Sequence, residues 1–145
     1  MRITLSAALL LSVAGCAQPS RRDVNIEVES AWVRLPAVPG RPAAAYLQIR
    51  TDVGPATLVR VDSPLARRAE MHGPGMTPLA RVDIEADSAF DFAPGEHHIM
   101  LFDVSPKVKA GGTVPLRLTF ADRSPPATVE AKVVGPADPP PDPRL

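Results

Sequence analysis

Thiols are nearly absent from this chain: Cys16 is the only cysteine among 145 residues. An intrachain disulfide framework and a Cys-rich zinc site are thereby excluded. Charge of one sign is missing as well. Sixteen basic and sixteen acidic residues cancel, and no block of like charge interrupts the balance, which disfavours a nucleic-acid binder relying on a basic face. Aromatic residues are few: Trp32, Tyr46 and four Phe. No helical stripe of useful length occurs. Enzyme motifs are also lacking. No His has a Ser or Cys nucleophile partner in a motif, and no Gly-rich phosphate loop follows a strand. Asp83, Glu85, Asp87 and Asp91 cluster near the region singled out below, but a solvated loop accounts for them as well as acid–base chemistry does.

Proline and glycine are plentiful, at 18 and 9 residues. They punctuate the chain too often for long helices and point to short strands and turns. A composition 45% hydrophobic and 22% charged supports one packed domain rather than a disordered chain.

Residues 1–16 read as an address. Arg2 supplies a charged start, and Ile3 to Ala14 form an apolar run broken only by Thr4, Ser6 and Ser12. That is the length of a signal-peptide core and too short to span a bilayer. Val13-Ala14-Gly15-Cys16 resembles the bacterial lipoprotein cleavage box. The resemblance implies removal of residues 1–15 and lipid attachment to the sulfur and new amino group of Cys16, holding the protein at the periplasmic face of a bacterial membrane. Ala17 after the Cys, in place of Asp, goes with the outer membrane in Gram-negative lipoproteins. Residues 16–23 then form a polar tether. The last ten residues, 136–145, contain five Pro and are expected to form a disordered, solvated tail.

Between them, residues 24–135 carry a series of short segments with strand character: 24–28, 31–35, 43–49, 57–61, 68–72, 79–85, 89–92, 97–104, 114–120 and 128–134. Pro-Gly at 39–40 and 94–95, Gly-Pro at 54–55, Gly-Pro-Gly at 73–75 and Gly-Gly at 111–112 separate them. Such spacing predicts an all-β sandwich or small barrel. Val114, Leu116, Leu118 and Phe120 share one face, as a core-facing set should.

The chemistry lies between residues 71 and 100. Apart from Met1, every Met (Met71, Met76, Met100) and every His (His72, His97, His98) falls there. Thioether sulfur is a soft ligand that selects Cu(I), and imidazole also suits copper. Without a free thiol the set is poorly suited to zinc, and without oxygen donors to calcium or magnesium. His98 and Met100 are two apart on a strand, so both point to one sheet face, while Ile99 and Leu101 point into the core. His72 and Met76 flank Gly73-Pro74-Gly75. In a three-residue hairpin loop they would oppose each other across the ladder, with Cβ atoms about 5 Å apart. Met71 and His97 are out of phase with this face.

Met76, twenty-one residues, His98, one residue and Met100 match the M-x21-H-x-M signature of the periplasmic copper chaperones called PCuAC. Ala31-Trp32-Val33-Arg34 and Ala43-Ala44-Ala45-Tyr46 resemble that family's opening strands. Gly111-Gly112-Thr113-Val114-Pro115-Leu116 and Leu118-Thr119-Phe120 resemble its last ones. The resemblance implies a cupredoxin-like Greek-key β-sandwich and Cu(I) held by His72, Met76, His98 and Met100. It also implies copper delivery to the CuA centre of cytochrome c oxidase, with that enzyme's copper-accepting subunit or another copper chaperone as partner. The family usually places ten residues between its first His and first ligand Met; here three intervene. A non-enzymatic, monomeric carrier is expected. The rival readings are a copper storage or resistance lipoprotein with the same site, and a structural β-sandwich that binds no metal. A blue-copper electron carrier would need a Cys thiolate on the metal, and the only Cys, Cys16, is expected to carry the lipid.

Overall fold

The computed structural model describes residues 24–121 and 126–142. The expected signal segment 1–15, the lipid-bearing Cys16, the tether 16–23 and residues 143–145 lie outside the described residues. The described chain is all-β. Its strands are β1 (Ile26–Arg34), β2 (Ala43–Thr51), β3 (Ala56–Asp62), β4 (Ala66–His72) and β5 (Pro78–Leu79). They continue as β6 (Val82–Ile84), β7 (Ala89–Phe92), β8 (His98–Val104), β9 (Thr113–Phe120) and β10 (Ala127–Val134). A 3-10 turn, Pro74–Met76, is the one helical element among the described residues, and no helix there is long and apolar enough to cross a membrane.

The strands join in the order β5-β4-β8-β2-β1-β10-β9-β3-β6, with β7 also paired to β2. β1 and β10 run parallel and the other pairs antiparallel. The connections β2 to β3, β3 to β4 and β8 to β9 carry the chain between distant positions of this order, in Greek-key fashion. The segment 79–85, expected as one strand, is two. Pro78–Leu79 pairs with β4 and Val82–Ile84 with β3, at opposite ends of the order. Only Ala80 and Arg81 separate them, so the two ends must lie close together. The sheet therefore folds back on itself and brings β3 against β4.

The first two expected segments, by contrast, are one strand. Ser30 adopts the left-handed region (φ 52°), and the register against β2 shifts between Glu29 and Trp32. This bulge reverses side-chain parity. Ile26 and Val28 face the core before it, Ala31 and Val33 after it.

Alternation then fills a single apolar core. Val114, Leu116, Leu118 and Phe120 of β9 are all buried, as are Ile99 and Leu101 of β8, Leu58 of β3 and Ile49 of β2. Fully burying such side chains contributes about 1.5–3 kcal/mol each. That holds β8 in place and sends His98, Met100 and Phe102 to the outer face. Pro136 and Asp138, in the segment expected as a disordered, solvated tail, contact the body. The Arg34 guanidinium donates to the carbonyls of Pro136 (3.1 Å) and Asp138 (2.7 Å), and the Gly135 amide donates to the Asp138 carboxylate (2.7 Å). Proline removes amide donors but leaves carbonyl acceptors, and an arginine fork can collect several of these.

Candidate metal centre

β4 and β8 run antiparallel with Arg68 opposite Phe102, Glu70 opposite Met100 and His72 opposite His98. The same register puts Met71 against Ile99, and Met71 is buried in the core. A row of six side chains therefore lies on the outer face of this pair. Arg68 stacks over the Phe102 ring (4.2 Å to its centroid) and its guanidinium lies 3.1 Å from the Glu70 carboxylate. The other Glu70 oxygen lies 3.3 Å from His72 Nε2. The His72 and His98 rings meet edge to face with centroids 5.7 Å apart. His72 is 6% exposed, and its Nδ1 is buried without a hydrogen-bond partner.

The turn before β8 aims His98. Pro94 and Gly95 reverse the chain, Gly95 at positive φ (83°), and the Ala93 amide donates to the His97 carbonyl (2.8 Å). His98 Nδ1 lies 3.1 Å from the Glu96 carbonyl oxygen. Its Nε2 lies 3.3 Å from the sulfur of Met76.

Met76 reaches this position from a loop rather than a strand, which corrects the expected hairpin. His72 is paired across the β4–β5 ladder with Pro78, not with Met76. The Gly73 amide donates to the Thr77 carbonyl (2.7 Å), so the loop runs from Gly73 to Thr77. Pro74 starts a 3-10 turn, and Gly75 (φ 67°) and Met76 (φ 64°) both take the left-handed conformation. That conformation costs a non-glycine residue roughly 1–2 kcal/mol. It leaves Met76 53% exposed with its sulfur turned back to His98. The short loop still delivers its thioether, by a different route from cross-strand pairing.

Three of the four expected donors are thus in direct neighbourhood: His72, His98 and Met76. Met100, half-buried, shares their face two residues along β8 from His98. His97, in the turn before β8, packs on Phe90 (centroids 4.8 Å). Two of the acidic residues expected near the site, Asp83 and Asp91, are engaged elsewhere. Asp83 accepts from Thr57 (2.8 Å) and pairs with Arg81, and Asp91 accepts from Gln48 (2.6 Å). Glu70 is the functional neighbour that the sequence reading missed. The available signal was its position two before His72, which on a strand means the same face. Among the described residues no three His, Cys or carboxylate side chains form a metal-holding group. The donors that converge are two imidazoles and the Met76 thioether, with Met100 on the same face of β8, a neutral, soft set of the kind that selects Cu(I).

Residues 26–133 match the family described as lipoprotein LpqE-like. No curated protein matches the chain by sequence. Among solved structures, the copper-bound PCuAC domain from PmoF2 is 25% identical with a TM-score of 0.68, the match covering 77% of this chain and 93% of that one. The apo PCuAC domain from PmoF1 is 25% identical with a TM-score of 0.69, covering 79% of this chain and 98% of that one. The solution structure of CuI-DR1885 from Deinococcus radiodurans is 22% identical with a TM-score of 0.58, covers 83% of each chain, and shares the fold.

Proposed function

The chain belongs to the LpqE-like, PCuAC-type family, and on that premise we propose that it is a copper chaperone holding one Cu(I) between His72, Met76, His98 and Met100. The observation that carries the reading is the approach of Met76 sulfur to His98 Nε2 at 3.3 Å, with the ring of His72, whose buried Nδ1 has no protein partner, 5.7 Å from that of His98 between centroids. The copper-bound state of the PmoF2 domain supports the same cargo. All four donors are neutral and none is a thiolate. Such a site favours the reduced ion yet yields it to a partner offering Cys ligands, because thiolates bind the soft ion more strongly. The acceptor in this proposal is the copper-binding subunit of cytochrome c oxidase, reached directly or through a second chaperone.

The proposal includes a lipid anchor at Cys16 on the periplasmic face of the outer membrane. Val13-Ala14-Gly15-Cys16 and the family's description as lipoprotein support it. A tether raises the local concentration of carrier near membrane-bound acceptors. Fractionation of cells expressing Cys16→Ser checks the anchor: the variant loses membrane attachment, and retention of mature protein on the membrane removes this part of the proposal.

The transfer test mixes the Cu(I)-loaded full chain, in detergent under reducing conditions, with a copper-free dithiol acceptor domain in excess. Copper is expected to leave for the acceptor. Copper that stays on this chain identifies storage instead, and failure of Cu(I) to bind at all removes the function.

A further inference from the structure

A neutral imidazole has one N–H and one lone pair. A metal takes the lone pair, and the other nitrogen keeps its proton and needs an acceptor. The surroundings of each ring therefore reveal which nitrogen is available. In His98, Nδ1 faces the Glu96 carbonyl oxygen at 3.1 Å. A carbonyl only accepts, so the proton belongs on Nδ1 and the lone pair on Nε2, the atom beside the Met76 sulfur.

His72 has the reverse arrangement. Its Nε2 lies 3.3 Å from a Glu70 carboxylate oxygen, also an acceptor only, which favours the proton on Nε2. Its Nδ1 is buried with no partner. A buried N–H without an acceptor is the rarer and costlier arrangement, so both observations leave the lone pair on Nδ1. Glu70 is itself held. Arg68, stacked on Phe102, lies 3.1 Å from its other oxygen. Glu70 stands opposite Met100, and its two oxygens are taken by Arg68 and His72. It supports a ring rather than supplying a ligand.

From this geometry we infer that Glu70 is a positioning residue that sets the tautomer of His72, so that Cu(I) is bound by Nδ1 of His72 and Nε2 of His98. The row Phe102, Arg68, Glu70, His72 buttresses one ring, and the Glu96 carbonyl orients the other. The inference rests on the copper reading above and assigns atoms within it.

The test uses the full chain labelled with nitrogen-15 histidine, in detergent. Long-range proton–nitrogen correlation spectra are recorded without metal and with one equivalent of Cu(I) under reductant. Without metal, His72 is expected as the Nε2–H tautomer and His98 as Nδ1–H. With Cu(I), the resonances of His72 Nδ1 and His98 Nε2 move while His97, stacked on Phe90, does not. Glu70→Ala is expected to abolish the tautomer preference of His72 and weaken Cu(I) binding about tenfold, whereas Glu70→Gln, which keeps an acceptor oxygen, stays within about threefold. Copper on His72 Nε2 overturns the inference. So does a Glu70→Ala variant with unchanged tautomer and affinity, or a Glu70→Gln variant as weak as Glu70→Ala. Each of these results leaves copper bound and the proposed function standing. Cu(I) that shifts neither ring nor the methyls of Met76 and Met100 overturns both.

Discussion

His72 and His98 stand directly opposite each other on β4 and β8, edge to face with centroids 5.7 Å apart, although twenty-six positions separate them in the chain. Two imidazoles that share an ion at about 2 Å from each nitrogen place their centres at about this separation. Strand register places the pair, and the loop after β4 adds Met76. The fold carries a cost for the pair, since His72 buries a nitrogen that no protein group satisfies.

Removing that nitrogen is therefore expected to stabilise the metal-free protein. His72→Phe keeps a flat ring while discarding the orphaned atom, which recovers about 1 kcal/mol of desolvation cost. Thermal unfolding of the apo protein should shift up by about 4 °C, while Cu(I) binding is lost. A lower melting temperature would show that the Glu70 contact to His72 outweighs the orphan.

Met76 and Met100 differ in burial, so their replacement separates binding from packing. Met76→Leu at an exposed loop position should change stability by no more than about 0.5 kcal/mol. Met100→Leu, half-buried on β8, should cost less than about 1.5 kcal/mol. Each removes a soft donor, and Cu(I) competition titrations should show at least a tenfold loss, or about 1.4 kcal/mol. Equal affinity in the double variant would remove both residues from the site.

Arg34 is expected to hold residues 135–138 in place. Arg34→Ala deletes the donors to the carbonyls of Pro136 and Asp138 and the cation 5.1 Å above the Trp32 ring. Hydrogen exchange should read about a tenfold faster exchange at the Gly135 and Asp138 amides, with the amides of β8 and β9 unchanged. Trp32 is the only tryptophan, so its fluorescence should shift in the same variant. Unaltered exchange would mean that the turn between Gly135 and Asp138 sustains itself.

Tyr46 offers a pH readout. Burial pushes its phenol above the ordinary 10.0, with the Arg34 cation acting in the opposite direction. Between the unfolded and folded values the native state binds the proton and the unfolded state does not. The associated stability is complete below the unfolded value and is lost as pH rises through the folded one. Ultraviolet titration of this single tyrosine should show its midpoint above 10.0 in the native protein and a return to the ordinary value in denaturant. A native midpoint at or below the denatured one would contradict the burial.

Much of the fold was legible because strand signals are local. Alternation along residues 114–120 placed four side chains in the core, and the same parity separated His98 and Met100 from Ile99 and Leu101. Parity also turned Met71 away from this face and into the core. It failed where the backbone departs from the two-residue repeat. Ser30 at φ 52° merges two expected segments by a bulge, and the bend at residues 80–81 splits one expected strand between distant partners.

The sequence by itself determined the class of fold, the soft character of the donor set and the face that His98 and Met100 share, because these follow from residue type and from alternation over a few positions. Only the tertiary structure decided that His72 faces His98 and not Met76, that Met76 turns its sulfur back from a left-handed loop, and that Glu70 meets His72 Nε2. Register between β4 and β8 is chosen by the burial of Met71, Ile99 and Leu101 against the rest of the core. That is a sum over residues far apart in the chain, which no local pattern contains.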